Sequence, residues 1–123
     1  MNWEKSIPIC VQAFMLSVKY KINQSTVEQI RDHLRMVGLP GKPTKIRKNA
    51  TTYESWDNDL LVGLLAVYEN GYITNLSVLP AYRGMGIASS LLKMASKDFK
   101  SFELETNIPE FWFKRGFKVR MYK

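Results

Sequence analysis

Cysteine and histidine are almost missing from this chain of 123 residues, which holds Cys10 and His33 and no others of either kind. A lone cysteine cannot close an intrachain disulfide, which fits a reducing compartment. One His and one Cys also exclude a zinc site built from the usual nitrogen and sulfur ligands, and no metal is expected. Acidic residues are scarce too, 11 against 18 Lys and Arg, for a net charge of +7. That excess suits an anionic partner or a merely basic surface, and it speaks to association rather than to fold. No apolar run reaches the roughly 20 residues that span a bilayer. The stretch from Ile7 to Val18 follows Lys5 as in a signal peptide, but Pro8 and Gln12 interrupt it and no small-residue cleavage site follows. A cytoplasmic protein without a membrane contact is expected.

Hydrophobic residues make up 46% of the chain, the share of an ordinary globular domain. The length suits one domain over residues 1–123, with 1–14 as a peripheral extension, since Met15 could itself begin a compact unit. Leu16, Val18, Tyr20 and Ile22 alternate with polar residues as a strand does. Ser25 or Thr26 then caps a helix whose Val27, Ile30, Leu34 and Val37 share one face, and Gly38 with Pro40 stops it. Gly41 to Asn49 reads as a solvated basic loop. Its Lys42, Lys45, Arg47 and Lys48 lack the interleaved aromatics or motif of a nucleic-acid reader. Thr51 to Trp56, Leu60 to Tyr68 and Tyr72 to Val78 read as strands joined by tight turns, the second carrying Asn70-Gly71. A helix follows from Ile87 to Phe99, then a strand at Phe102, Leu104 and Thr106. A short helix from Pro109 to about Lys114 and a strand from Phe117 to Tyr122 complete the chain. The order β-α-β-β-β-α-β-α-β describes an α/β protein with a mixed sheet.

The junction between the strand at Tyr72–Val78 and the following helix carries Arg83-Gly84-Met85-Gly86-Ile87-Ala88. Helix N-termini offer unpaired N–H groups and a partial positive charge, so a phosphate or pyrophosphate suits this place. A Walker loop would need Gly-Lys-Ser/Thr here, and none follows. A dinucleotide fingerprint fits Gly84 and Gly86 but meets Ser89 at its third position, although Glu103 or Glu105 lies near the ribose-binding distance. Its connection from the strand is also too long, and two antiparallel hairpins fit a βαβ unit poorly. The acyl-coenzyme A pattern Arg/Gln-x-x-Gly-x-Gly/Ala is met at every specified position.

The stretch from Ile73 to Ala88 resembles the central motif of the GNAT superfamily of N-acetyltransferases. Phe111-Trp112-Phe113-Lys114-Arg115-Gly116-Phe117 resembles that superfamily's C-terminal signature, with Trp112 where the family has a tyrosine. The resemblance implies the GNAT-like acyl-CoA N-acyltransferase fold, with the strands ending near Val78 and starting near Phe102 splayed apart. It implies acetyl-CoA as cosubstrate, with its pyrophosphate on the N–H groups of Arg83, Gly84, Met85, Gly86, Ile87 and Ala88. Leu76, Ser77 and Val78 would take the pantetheine arm, and Asn107, Phe113 and Lys114 complete the implied cofactor set.

The implied chemistry is direct attack of an amine on the thioester. Asn75 stands where many relatives carry a base, and Trp112 where the leaving thiolate would find an acid. Indole donates a hydrogen bond but cannot deliver a proton. Glu54, Glu69 and Glu105 are alternative bases on or beside strands, with a solvated edge carboxylate as the plainer reading of each. His33 reads as a half-buried structural histidine. The expected partner is a small-molecule or peptide amine, and the basic run favours one that also carries a carboxylate or phosphate. Nucleic acid and membrane are not favoured, and a homodimer stays open. Two other functions compete with the transferase: an acetyl-CoA-binding sensor without catalysis, and a basic nucleic-acid-binding domain.

Overall fold

The computed structural model describes residues 18–106 and 108–117. Its sheet has four antiparallel strands in the order β1 (Val18–Ile22), β2 (Ala50–Asp57), β3 (Leu60–Tyr68) and β4 (Ile73–Val78). Helices α1 (Val27–Val37) and α2 (Pro43–Asn49) fall between β1 and β2; α3 (Ile87–Ala95) and α4 (Pro109–Phe113) follow β4. A 3-10 turn at Pro80–Tyr82 links β4 to α3.

Thr26 begins α1 with a full capping box, its hydroxyl accepting from the Gln29 N–H while the Gln29 side chain accepts from the Thr26 N–H. Gly38, at φ 71°, ends it, and the N–H groups of Gly38 and Leu39 return to Arg35 and Leu34. Leu61 to Val67 of β3 are buried on both faces, as befits a strand with a layer on each side. On one face Ile30, Leu34 and Ile46 of α1 and α2 pack on Trp56, Leu61, Leu64 and Ala66. On the other, Ile87, Leu91, Leu92, Ala95 and Trp112 pack on Tyr53, Val62, Leu65 and Val67. Gly63 lets α3 approach this second face: a Cβ there would stand 2.7 Å from Ile87 Cγ2 and 3.2 Å from Leu91 Cδ1.

The structure departs from the sequence reading at four places. The basic segment is helical, not a loop. Pro43 is preset for a first helical position, Ile46 is buried, and Arg47 and Lys48 sit favourably in the last turn. Seven residues are too few to show a helical period. The strand expected at Phe102–Thr106 shrinks to one parallel bridge between Glu103 and Tyr72. Helix α3 ends at Ala95, and turns carry the chain on to Phe99. The last expected strand lies beyond the described residues apart from Phe117, as do Leu16 and Ser17 of the first.

Glu54 is the fourth departure. It is not a solvated edge carboxylate: its side chain is fully buried on the α1–α2 face. One oxygen accepts from the Gln24 N–H (3.1 Å) and the Trp56 indole (3.0 Å). The other accepts from the Ser25 N–H (3.1 Å) and from the Ser25 and Thr52 hydroxyls (both 2.6 Å). Arg47 Nη1 approaches to 3.7 Å and also donates to the Ser25 carbonyl. Five hydrogen bonds and a cation thus tie the β1–α1 turn, β2 and α2 into one unit. Replacing Glu54 by Ala strands these buried donors and leaves Arg47 without its partner. Urea unfolding of Glu54→Ala is expected to show a loss of about 3 kcal/mol or more. A loss under about 1 kcal/mol would contradict this role.

Candidate active site

Among the described residues, strand β4 is paired along the length of one edge and only at its start along the other. β3 covers that edge from Ile73 to Val78, with a register shift that leaves Thr74 as an extra residue. Along the other edge, Ile73 N–H donates to Glu103 O and Glu103 N–H to Gly71 O. Past that point, no backbone bond among the described residues joins β4 to the segment 104–106. The two segments meet once and part, leaving the end of β4 open toward a cavity.

The glycine junction closes the same cavity. Gly84 and Gly86 hold φ of 82° and 77°, a left-handed backbone that side chains resist. A Cβ at either would meet nothing within 4 Å, so the space beside them is free for a ligand. Among the described residues, no backbone carbonyl accepts from the N–H of Gly84 through Ser89; the helical ladder resumes with Ser90 N–H to Gly86 O. A row of uncommitted donors at the start of a nine-residue helix fits an anion with several oxygens.

The cavity is about 390 Å³, and Leu76, Ser77, Val78, Arg83, Gly84, Gly86, Ile87 and Ala88 line it. These are the residues the sequence reading grouped together. Met85, Phe113 and Lys114 of that group lie outside the lining: Met85 packs on the core, while Phe113 and Lys114 are exposed. Asn107 is outside the described residues. Arg83 turns back, its Nε donating to the Val78 carbonyl at 3.0 Å. The sequence reading missed Leu39, Ile108, Phe111, Ser89 and Arg115. Arg115 is held by a bond to the Phe111 carbonyl (2.8 Å) and by stacking 3.7 Å above the Phe111 ring. With Ser89 it also borders a wider basic hollow of about 610 Å³ that includes Lys93 and Lys100.

The catalytic candidates separate. Trp112 borders the 390 Å³ cavity as a packed wall, its indole donating to Thr106 Oγ1 at 3.1 Å and its ring edge-on to Phe111 and Phe117. Tyr82 borders it too. Its phenol donates to Asp57, and burial followed by that carboxylate pushes its pKa up to about 12. Glu69 and Glu105 are exposed and away from this lining; Glu69 edges an open depression with Lys45, Asn49, Tyr68 and Asn70.

Asn75 is buried on the opposite face of β4, within a hydrogen-bonded chain. Its amide donates to Leu64 O (3.1 Å) and to Ser77 Oγ (2.9 Å), and Ser77 meets His33 Nε2 at 2.7 Å. His33 is fully buried rather than half-buried. Burial lowers its pKa, against the raising effect of the Leu61 and Ser77 backbone. Asn75 also borders a second cavity of about 250 Å³, with Thr74, Tyr68, Lys42 and Lys45. The Asn75–Ser77 bond therefore links a residue of each cavity's lining.

Among the described residues, no group of three His, Cys, Asp or Glu side chains could hold a metal ion, and no helix is long and apolar enough to cross a membrane. No curated protein matches the chain. Residues 42–119 match the family described as acetyltransferase (GNAT) domain. Solved structures share the fold. A GNAT family acetyltransferase from Streptococcus pneumoniae is 26% identical with a TM-score of 0.68, over 83% of this chain and 88% of its own. A probable acetyltransferase from Staphylococcus aureus is 24% identical with a TM-score of 0.70, over 86% and 98%. Arabidopsis thaliana Naa50, in complex with the bisubstrate analogue CoA-Ac-MVNAL, is 26% identical with a TM-score of 0.67, over 85% of each chain. The match over residues 42–119, well over half of the chain, makes it a member of the GNAT acetyltransferase family.

Proposed function

We propose that this protein is an acetyl-CoA-dependent N-acetyltransferase, one domain over residues 1–123, that passes the acetyl group directly to a primary amine. The observation that carries the reading is the row of uncommitted N–H groups from Gly84 to Ser89 at the end of a half-paired strand. Those N–H groups would hold the pyrophosphate, and the open edge at Leu76–Val78 would take the pantetheine as an added strand. Lys93, Lys100 and Arg115 in the wider hollow would face the phosphate at the adenosine end. The complex of Naa50 with a CoA-containing bisubstrate analogue supports this use of the fold.

Acetyl-CoA supplies an activated thioester. A backbone N–H on the open edge of β4 would receive the developing oxyanion, with no reorganisation at the moment of reaction. Trp112 cannot protonate the leaving group, and its indole hydrogen is already given to Thr106. The thiolate leaves unaided, as a thiol pKa of about 8.5 permits. For the acceptor, the 250 Å³ cavity offers Lys42 and Lys45 beside Asn75. Two cations there oppose polyamines and suit an amine that also bears a carboxylate or phosphate.

Two experiments test this reading. Thiol release from acetyl-CoA, measured across amino acids, peptides, phosphorylated amines and polyamines, is expected to be fastest with anionic amines. Lys45→Glu should reverse that order at low salt, and spermidine as the best acceptor of the wild type would overturn the assignment. Calorimetry of Gly86→Glu should show acetyl-CoA binding weakened about tenfold or more, because a side chain at that φ is strained and its charge opposes the phosphates. Unchanged affinity would sink the phosphate-loop assignment, and tight binding with no thiol release across the panel would favour a sensor instead.

A further inference from the structure

The chain His33–Ser77–Asn75 has its protons fixed by its surroundings. His33 Nδ1 lies 2.9 Å from the Leu61 carbonyl oxygen, which only accepts, so the neutral ring carries its hydrogen on Nδ1. Nε2 then holds the lone pair and accepts the Ser77 hydroxyl hydrogen. Both Asn75 amide hydrogens are used, on Leu64 O and on Ser77 Oγ. Ser77 has one hydrogen and two lone pairs. The hydrogen goes to His33, Asn75 takes one lone pair, and the other remains. Ser77 borders the 390 Å³ cavity, and Asn75 the cavity with Lys42 and Lys45. The hydrogen-bonded pair Asn75–Ser77 thus joins one residue of each lining, and Ser77 Oγ keeps one lone pair that no described group uses.

We propose that Ser77 and His33 form a proton relay that deprotonates the acceptor amine, an inference that rests on the acetyltransferase reading above. Ser77 Oγ takes a proton from the acceptor ammonium as its own hydrogen moves to His33 Nε2. The freed nitrogen lone pair forms the N–C bond to the acetyl carbon while the C–S bond breaks. The sulfur leaves as thiolate and takes a proton from solvent to give coenzyme A thiol. The second nitrogen proton and the His33 proton, the latter through Ser77, return to solvent. Asn75 is a positioning residue that orients the Ser77 hydroxyl.

The surroundings suit a neutral resting imidazole. β4 carries no ionisable side chain, and β3 carries only Tyr68. On α1, Asp32 is exposed and Arg31 is half-buried, one and two positions from His33 and off its helix face. On α2, Lys45 faces the second cavity and Arg47 is held against Glu54 on β2. Burial dominates the downward shift of His33, so the ring is uncharged and able to accept a proton at neutral pH.

His33 is the chain's one histidine, so nitrogen NMR of histidine-labelled protein reports it without ambiguity. The relay predicts a neutral ring protonated on Nδ1 at pH 7, titrating below the ordinary value of about 6.5. It predicts that the acid limb of kcat/KM, with acetyl-CoA and the fastest amine of the panel, coincides with that titration. His33→Gln and Ser77→Ala should each lower kcat about a hundredfold or more and remove the limb, with the double variant no worse and acetyl-CoA affinity kept in His33→Gln. If either variant unfolds, the coincidence of the two wild-type titrations still decides. A limb displaced from the NMR titration, a ring protonated on Nε2, an unchanged profile in a folded variant, or a stable acetyl ester on Ser77 by mass spectrometry would each overturn the relay. Wild-type protein that fails to bind acetyl-CoA would overturn the acetyltransferase reading itself.

Discussion

Everything at this site depends on β4 being paired on one edge and open on the other. Backbone N–H and C=O groups seek partners, and an open edge is a template for another extended chain. β3 supplies one side, while the segment after α3 touches β4 at Glu103 and then leaves it. The same strand alternates its side chains between the two layers. Leu76 and Val78 face the α3 side of the sheet, and Asn75 and Ser77 face α1. One strand therefore offers its backbone to one ligand, its apolar side chains to the core, and its polar side chains to buried chemistry.

The opposite layer is held by Glu54. Without it, the α1 entry and α2 would be joined to the sheet mainly by Ile30, Leu34 and Ile46. Its five accepted hydrogen bonds fix Ser25, just before the Thr26 cap of the helix that carries His33. Its ion pair fixes where Arg47 anchors the helix that carries Lys45. A buried carboxylate that lines neither cavity thus supports the helices that carry the residues of the second. Trp112 and Phe111, with Phe117 packed edge-on to the indole, form the apolar wall of the first.

Local signals carried much of this in the sequence. The Thr26 cap, the unbroken apolar run of β3, the Asn70-Gly71 turn and the Arg83–Ala88 loop all report on residues near one another in the chain. What escaped depends on residues brought together from afar. Glu54 looks like any strand-edge carboxylate until Gln24, Ser25, Arg47 and Trp56 converge on it. His33 lies at helical spacing with Ile30 and Leu34, and nothing local says that Ser77, 44 residues away, is its partner. The helix α2 hid behind its charges, because one buried Ile46 gives no periodicity. At the C-terminal motif, Lys114 was the expected cation, whereas the turn after α4 brings Arg115 to the cavity and leaves Lys114 in solvent.

The central claim is that acetyl-CoA lies across the glycine junction and the open edge of β4. Backbone amide NMR during titration with acetyl-CoA tests it most directly. The account predicts that the largest shifts fall on Gly84 through Ser89 and on Leu76 through Val78, with Lys45 and its helix little changed. Shifts centred on α2, or none at the glycine junction at saturating ligand, would contradict it.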